Sequence, residues 1–306
     1  MDDIDFRILK MLSENGRESY EILAKSVGLT GNAVRKRVQS MIDKGVIERF
    51  YSCINPTVFG YLVFIAIFEY NKGLEEDAFN ELKELDNVMY VVNSINEISA
   101  VVFLFKDEED RKQMIDSISA TIKSAKLVLT FVYPKPILDI KIRKIDWRII
   151  RSLKDNLRKP ICDIAGELNI STKTVKRHLD NLIDKEGMCC TTLVQPMMIE
   201  NIIPYSLVIE FGEDINIDKI ILSFRERFDN YWFKQKIKNS SIIIMQLYGH
   251  TLKEIEDNIR FLQNREEVKN VIVFYPLRIY FSDKYIEEGL KSRTTAEYQD
   301  TCKVEL

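Results

Sequence analysis

The sequence predicts an α+β protein of four small domains, two helical and two strand-rich, in alternation. Three observations predict it. The first is an internal repeat. Ile4-Asp5-Phe6-Arg7-Ile8 returns as Ile145-Asp146-Trp147-Arg148-Ile149, and Leu12, Asn15, Leu23-Ala24, Leu29-Thr30 and Val34 return as Leu153, Asn156, Ile164-Ala165, Ile170-Ser171 and Val175, each 141 positions further on. The second is a change of apolar period inside each copy, from helical spacing to strand spacing. The third is size: 306 residues, 46% hydrophobic and 30% charged, enough for several cores. The expected domains are 1–56 and 141–198 (helical), 57–140 and 199–281 (strand-rich), with a polar tail at 282–306.

In the first helical third, Phe6, Ile8, Leu9, Met11 and Leu12 lie near one face of a helix that Asn15-Gly16 should end, the glycine accepting the left-handed backbone of a helix stop. Ser19 caps a short second helix carrying Ile22, Leu23 and Val27. Gly28-Leu29 turns the chain, and Thr30 caps a third helix whose buried side is Val34, Val38, Met41 and Ile42. Three helices with a tight Gly-containing turn follow the helix-turn-helix plan. Val46 to Phe50 and Tyr51 to Ile54 read as the two strands of a wing.

The outward side of the third helix carries Asn32, Arg35, Lys36 and Gln39 beyond the Thr30 cap. In the second copy it carries Lys173, Lys176 and Arg177 beyond Ser171. Such side chains hydrogen-bond base edges in a major groove, and cap hydroxyls and helix N-termini suit phosphate oxygens. A solvated helix face would look the same in isolation, but here the pattern falls on the third helix twice. These nine residues are the predicted contacts to double-stranded DNA. The net charge of −3 hides the local balance: Lys plus Arg outnumber Asp plus Glu by 12 to 7 over 141–198 and trail by 8 to 14 over 57–140.

The strand-rich part reads as strand Tyr61 to Tyr70, helix Leu74 to Leu85, strands Val88 to Ile95 and Ile98 to Phe105, helix Asp107 to Ser124 and strand Lys126 to Tyr133. The order βαββαβ is ferredoxin-like, and the second copy repeats it from Tyr205 to Tyr275. Helices cover one face of such a sheet, yet Leu62 to Phe68 is apolar on both. The other face must pack on something. The equivalent sheet is the natural partner, either within the chain as a pseudo-dimer or between chains as a homodimer or higher homo-oligomer.

No run of eighteen apolar residues occurs, so no membrane span is expected. The chain opens Met1-Asp2-Asp3, without a secretory leader. Five cysteines (Cys53, Cys162, Cys189, Cys190, Cys302) with no C-x-x-C spacing fit a reducing cytoplasm. Cys189-Cys190 reads as a redox sensor or, more simply, as small strand residues. There is no Ser/His/Asp set, metal-ligand cluster or phosphate loop. Catalytic residues, a metal and a cofactor are therefore not expected.

Ile4-Asp5-x-x-Ile8-Leu9, Asn15-Gly16-Arg17, Leu23-Ala24-x-x-Val27-Gly28-Leu29-Thr30, Val34-x-x-Arg37-Val38, Lys44-Gly45-Val46-Ile47 and Ile54-Asn55-Pro56 together resemble the Lrp/AsnC family. The resemblance implies a winged helix-turn-helix joined to a RAM domain, and dimers on pseudo-palindromic DNA. Family members usually carry one copy per chain. It also implies a small-molecule effector at a Gly-x-x-Asp-like turn. The first copy has Ser94-Ile95-Asn96-Glu97 there, without the glycine, leaving Asn93, Asn96 and Glu97 as effector candidates. The second has Lys238-Asn239-Ser240-Ser241 and no acid, which argues against a free amino acid. Two rival readings share the architecture: a siroheme-decarboxylase-like enzyme, which would need histidines where only His178 and His250 exist, and a non-specific architectural DNA binder.

Overall fold

The computed structural model describes residues 1–70, 76–122, 125–133, 142–212, 215–224, 227–228, 231–236 and 241–291. In the first copy α1 (Asp3–Glu14), α2 (Tyr20–Val27) and α3 (Gly31–Asp43) lead into β1 (Ile47–Ile54). Then come β2 (Leu62–Glu69), α4 (Glu76–Glu84), β3 (Val88–Ser94), β4 (Ile98–Phe105), α5 (Glu108–Thr121) and β5 (Lys126–Tyr133). The second copy repeats the order: α6 (Lys144–Leu153), α7 (Ile161–Leu168), α8 (Thr172–Asp184), β6 (Met188–Val194), β7 (Ile203–Phe211), α9 (Ile217–Ser223), β8 (Tyr231–Lys236), β9 (Ile242–Gly249), α10 (Leu252–Gln263) and β10 (Val268–Phe274). It adds β11 (Pro276–Phe281) and a final helix, α11, over residues 284–291.

The helices begin where cap chemistry says they should. Ser19, Thr30 and Ser171 each accept the backbone N–H three residues on, at 3.2, 3.2 and 3.1 Å. Gly28 closes α2 in the left-handed region at φ 72°. Gly16 corrects an expectation. It is not among the left-handed residues, and α1 ends on an extended Asn15. Gly16 is needed for close approach instead: a Cβ there would lie 2.8 Å from the Thr191 carbonyl oxygen of the second copy.

The wing expectation is also corrected. Ile47–Ile54 is one unbroken strand, because Glu48 to Ser52 offers no Gly, Pro or Asn to turn the chain. It pairs antiparallel with β6, its counterpart in the other copy, with Tyr51 opposite Thr191 and Cys53 opposite Cys189. The two helical domains therefore share one two-stranded ribbon.

The sheets follow the ferredoxin-like order, β3-β4-β2-β5 in the first copy and β10-β7-β9-β8 in the second. Phe64, Ala66 and Phe68 of β2 pack towards the helices, while Ile65 and Ile67 face the other way. There they meet Val208, Ile242, Ile272 and Phe274 of the second sheet in one buried cluster. The two apolar sheet faces thus cover each other within a single chain. Each large side chain buried there contributes about 1.5–3 kcal/mol.

The expected boundary at Phe281 hides one exchange. β11 belongs by sequence to the second copy, but it adds to the edge of β3 in the first, making that sheet five-stranded. The Gln195 side chain grips it, donating to the Ile279 carbonyl at 2.7 Å and accepting the Ile279 N–H at 3.2 Å. The polar tail is helical over 284–291, and the remainder of the tail lies outside the described residues.

Candidate nucleic-acid interface

The third helices α3 and α8 each bury one apolar stripe: Val34, Val38 and Met41 in one, Val175, Leu179 and Leu182 in the other. That fixes what faces outward. Thr30, Asn32, Arg35, Lys36, Gln39, Ser171, Lys173, Lys176 and Arg177 are all exposed. Their side chains are not equally available. Gln39 donates to Asp43 at 2.8 Å and Lys176 pairs with Asp180 at 3.0 Å, one helical turn on. Arg35 lies 5.3 Å from the Tyr20 ring centre. Thr30 and Ser171 spend an oxygen lone pair on their helix caps, and Ser171 Oγ also lies 2.9 Å from Thr174 Oγ1.

Each third helix is held to its first helix by a polar pair at matching positions, which sequence reasoning missed. In copy one Arg37 pairs with Asp5 at 2.8 Å and Asp2 at 2.9 Å. Hydrogen bonds donated to Asp5 and then Asp2 hold the Arg37 guanidinium above its ordinary pKa. In copy two, 141 positions on, His178 Nδ1 meets Asp146 Oδ1 at 2.6 Å, and Asp146 Oδ2 accepts the Arg143 N–H at 2.7 Å. Arg37 and Asp5 are partly exposed, whereas His178 and Asp146 are 9% and 2% exposed. Asp146→Ala should therefore cost about 3 kcal/mol by stranding a buried partner. Asp5→Ala should cost about 1 kcal/mol. Urea unfolding midpoints check the contrast, and equal losses would refute it.

A second missed feature joins the two helix-turn-helix units. Arg158 donates to the carbonyls of Gly16 at 2.6 Å and Glu18 at 2.9 Å. Reciprocally, Arg17 donates to the carbonyls of Leu157 and, at 2.9 Å, Lys159. Arg17 and Arg158 are 141 positions apart, so the contacts obey a pseudo-twofold axis. The repeat offset was the signal that could have exposed this clamp. Burial lowers the Arg17 pKa, the expected cost of taking a guanidinium out of water. Gly16 N–H to Cys190 O at 2.9 Å and Thr191 Oγ1 to Ser13 O at 2.7 Å extend the joint.

Of the effector candidates, Asn93 is buried and accepts from the Tyr70 hydroxyl at 3.4 Å. Asn96 donates to the Val273 carbonyl at 2.7 Å and accepts the Tyr275 N–H at 3.2 Å, so its amide ties the two copies together. Glu97 is exposed at a left-handed turn position, φ 60°. Asn93 and Asn96 are thus engaged by the fold. The equivalent turn of the second copy, 237–240, lies outside the described residues.

Two helix-turn-helix units with exposed cationic third helices, riding on face-to-face ferredoxin-like sheets, define a class of DNA-binding proteins. The family model for winged helix-turn-helix DNA-binding matches residues 1–48 and 142–186. The chain is 33% identical over 120 residues to the HTH-type transcriptional regulator LrpA of Pyrococcus horikoshii, covering 38% of this chain and 84% of that one. It is 29% identical over 163 residues to the HTH-type transcriptional regulator Ptr1 of Methanocaldococcus jannaschii, covering 53% of this chain and 99% of Ptr1. The chain belongs to the Lrp/AsnC family of transcription regulators. Its fold is also that of the siroheme decarboxylase NirDL, with a TM-score of 0.51 over 97% of this chain and 100% of the other at 13% identity. Among the described residues, no helix is long and apolar enough to cross a membrane.

Proposed function

We propose that one chain does the work of a dimer. It reads two unlike half-sites of double-stranded DNA with α3 and α8, about 10–10.5 base pairs apart or a multiple of that. The observation that carries this reading is the Arg17–Arg158 clamp, which fixes two exposed cationic helices relative to each other. Arg35 and Arg177 are the proposed base readers. Asn32, Lys36, Gln39, Lys173 and Lys176 line the same faces. Thr30 and Ser171 donate to phosphate. The unlike faces favour sequence-specific regulation over architectural binding. The domains proposed are 1–56, 57–140, 141–198 and 199–281, with β11 exchanged into the first sheet.

The enzyme reading gains a fold and no chemistry. His178 is committed to Asp146 in the core, and His250 sits at the surface 3.8 Å from Asp3. The test is a selection of random DNA by the purified chain, followed by affinity measurements on the enriched site. Arg35→Ala and Arg177→Ala should each weaken that site by about 1–3 kcal/mol, roughly 5- to 150-fold, with little change on unrelated DNA. Failure to enrich any sequence would sink the reading.

A further inference from the structure

We propose that Cys53 and Cys189 form a peroxide-responsive thiol pair that closes as a disulfide across the β1–β6 ribbon. The two are direct partners in the antiparallel register. Two positions along, the Asn55 N–H bonds the Gly187 carbonyl at 3.0 Å. Hydrogen-bonded pairs alternate in such a ladder, so Cys53–Cys189 is another, with an expected Cα separation of about 5.5 Å. That lies inside the range of roughly 4.4–6.8 Å that disulfides span. Directly opposed residues also project from the same face of the ribbon. Neither cysteine is in a disulfide here.

The exposures assign the order of events. Cys189 is exposed and meets the oxidant, while Cys53, directly across the ribbon, is buried and resolves the product. The Cys189 thiolate attacks one oxygen of hydrogen peroxide, breaking the O–O bond and giving a sulfenic acid and hydroxide. The Cys53 sulfur then attacks the sulfenic sulfur. The displaced hydroxide takes the Cys53 proton and leaves as water. In sum, two thiols and one peroxide give one disulfide and two waters, a two-electron oxidation.

Cys190 is the poorer partner for Cys189. As its neighbour in a strand it points to the opposite face. It is 4% exposed, and burial pushes its thiol up to about 11. Cys162 lies on α7, away from the ribbon, and Cys302 lies outside the described residues.

Oxidation would be felt beyond the ribbon. The Tyr285 hydroxyl donates to the Ile54 carbonyl at 2.8 Å, and the Cys53 thiol, a donor to the same carbonyl at 3.8 Å, lies 3.2 Å from Oη. A disulfide removes that donor. Tyr285 belongs to α11, which holds α6 through Glu287 and Lys154 at 2.5 Å. The oxidation state of the ribbon therefore acts on the seat of the second helix-turn-helix unit. The proposal does not depend on which DNA the protein reads.

The test uses the full chain, fully reduced, treated with a few equivalents of hydrogen peroxide, alkylated under denaturing conditions and digested without reductant. The expected product is a linked peptide pair containing Cys53 and Cys189, two hydrogens lighter than the two thiol peptides. Two thiols per chain should be lost, and dithiothreitol should restore them. Cys189→Ser and Cys53→Ser should each abolish the link, while Cys190→Ser and Cys162→Ser keep it. Cys189 is exposed, so its variant tests the link even if Cys53→Ser folds poorly. Recovery of Cys53 as an intact thiol while Cys189 is over-oxidised or joined to another cysteine would overturn the proposal.

Discussion

Inserting about five base pairs between the two half-sites is expected to cut affinity at least 100-fold. Half a helical turn carries the second half-site to the far side of the duplex. The helices α3 and α8 cannot follow, because Arg17 and Arg158 bind each unit's first inter-helix loop to the other's backbone and the β1–β6 ribbon joins their bases. One unit then loses its specific contacts while keeping at most phosphate contacts, and specific binding commonly exceeds non-specific by about 10³-fold or more. Inserting about ten base pairs tests the same joint by distance alone. The Arg17→Ala/Arg158→Ala double variant removes four charge-assisted hydrogen bonds. It should bind the original site more weakly and suffer less from the five-base-pair insertion. If the wild-type chain binds both spacings equally, the clamp does not set the half-site geometry.

Ile67→Asp is expected to lower folding stability by about 4 kcal/mol or more. Ile67 is 0% exposed and sits between the two sheets among Ile65, Phe131, Val208 and Phe274. A carboxylate placed in this apolar cluster loses its water of hydration. Ile67→Ala separates the two contributions. It removes apolar burial alone and should cost about 2–5 kcal/mol through the cavity it leaves. Leu222→Asp is the control: that side chain is 65% exposed on α9 and its replacement should change stability by less than about 0.5 kcal/mol. Urea unfolding followed by circular dichroism reads all three. A loss for Ile67→Asp no larger than the control's would mean that the sheets do not hold the two copies together.

Much of this fold was legible because its signals are local. Thr30 and Ser171 mark the starts of α3 and α8 as their cap chemistry requires, and Val34/Val38 and Val175/Leu179 mark the buried stripes. The doubly apolar β2 announced that its second face needed cover, and β7, β9 and β10 supply it. Non-local pairing was not legible. Alternation of side chains tells which face of β1 is buried, but not which strand lies beside it. Nothing in Ile47–Ile54 names Met188–Val194, and nothing in Pro276–Phe281 names β3. The polar pairs were hidden for a related reason. Arg37 and His178 occupy equivalent positions with different chemistry, so a comparison by residue type separates what the fold unites. The candidate DNA faces were readable from helical period alone. The candidate effector turn was not, because the engagement of Asn96 depends on the arrival of Val273 and Tyr275 from the other copy.

The exchanged strand β11 has a consequence for inheritance as much as for folding. Regulators assembled from separate chains can trade subunits with any close paralogue made in the same cell, and every change in one half appears at once in the other. Here the edge of β3 is already occupied by the chain's own Pro276–Phe281. Each half therefore mutates alone. The outward faces of α3 and α8 can diverge independently within one chain.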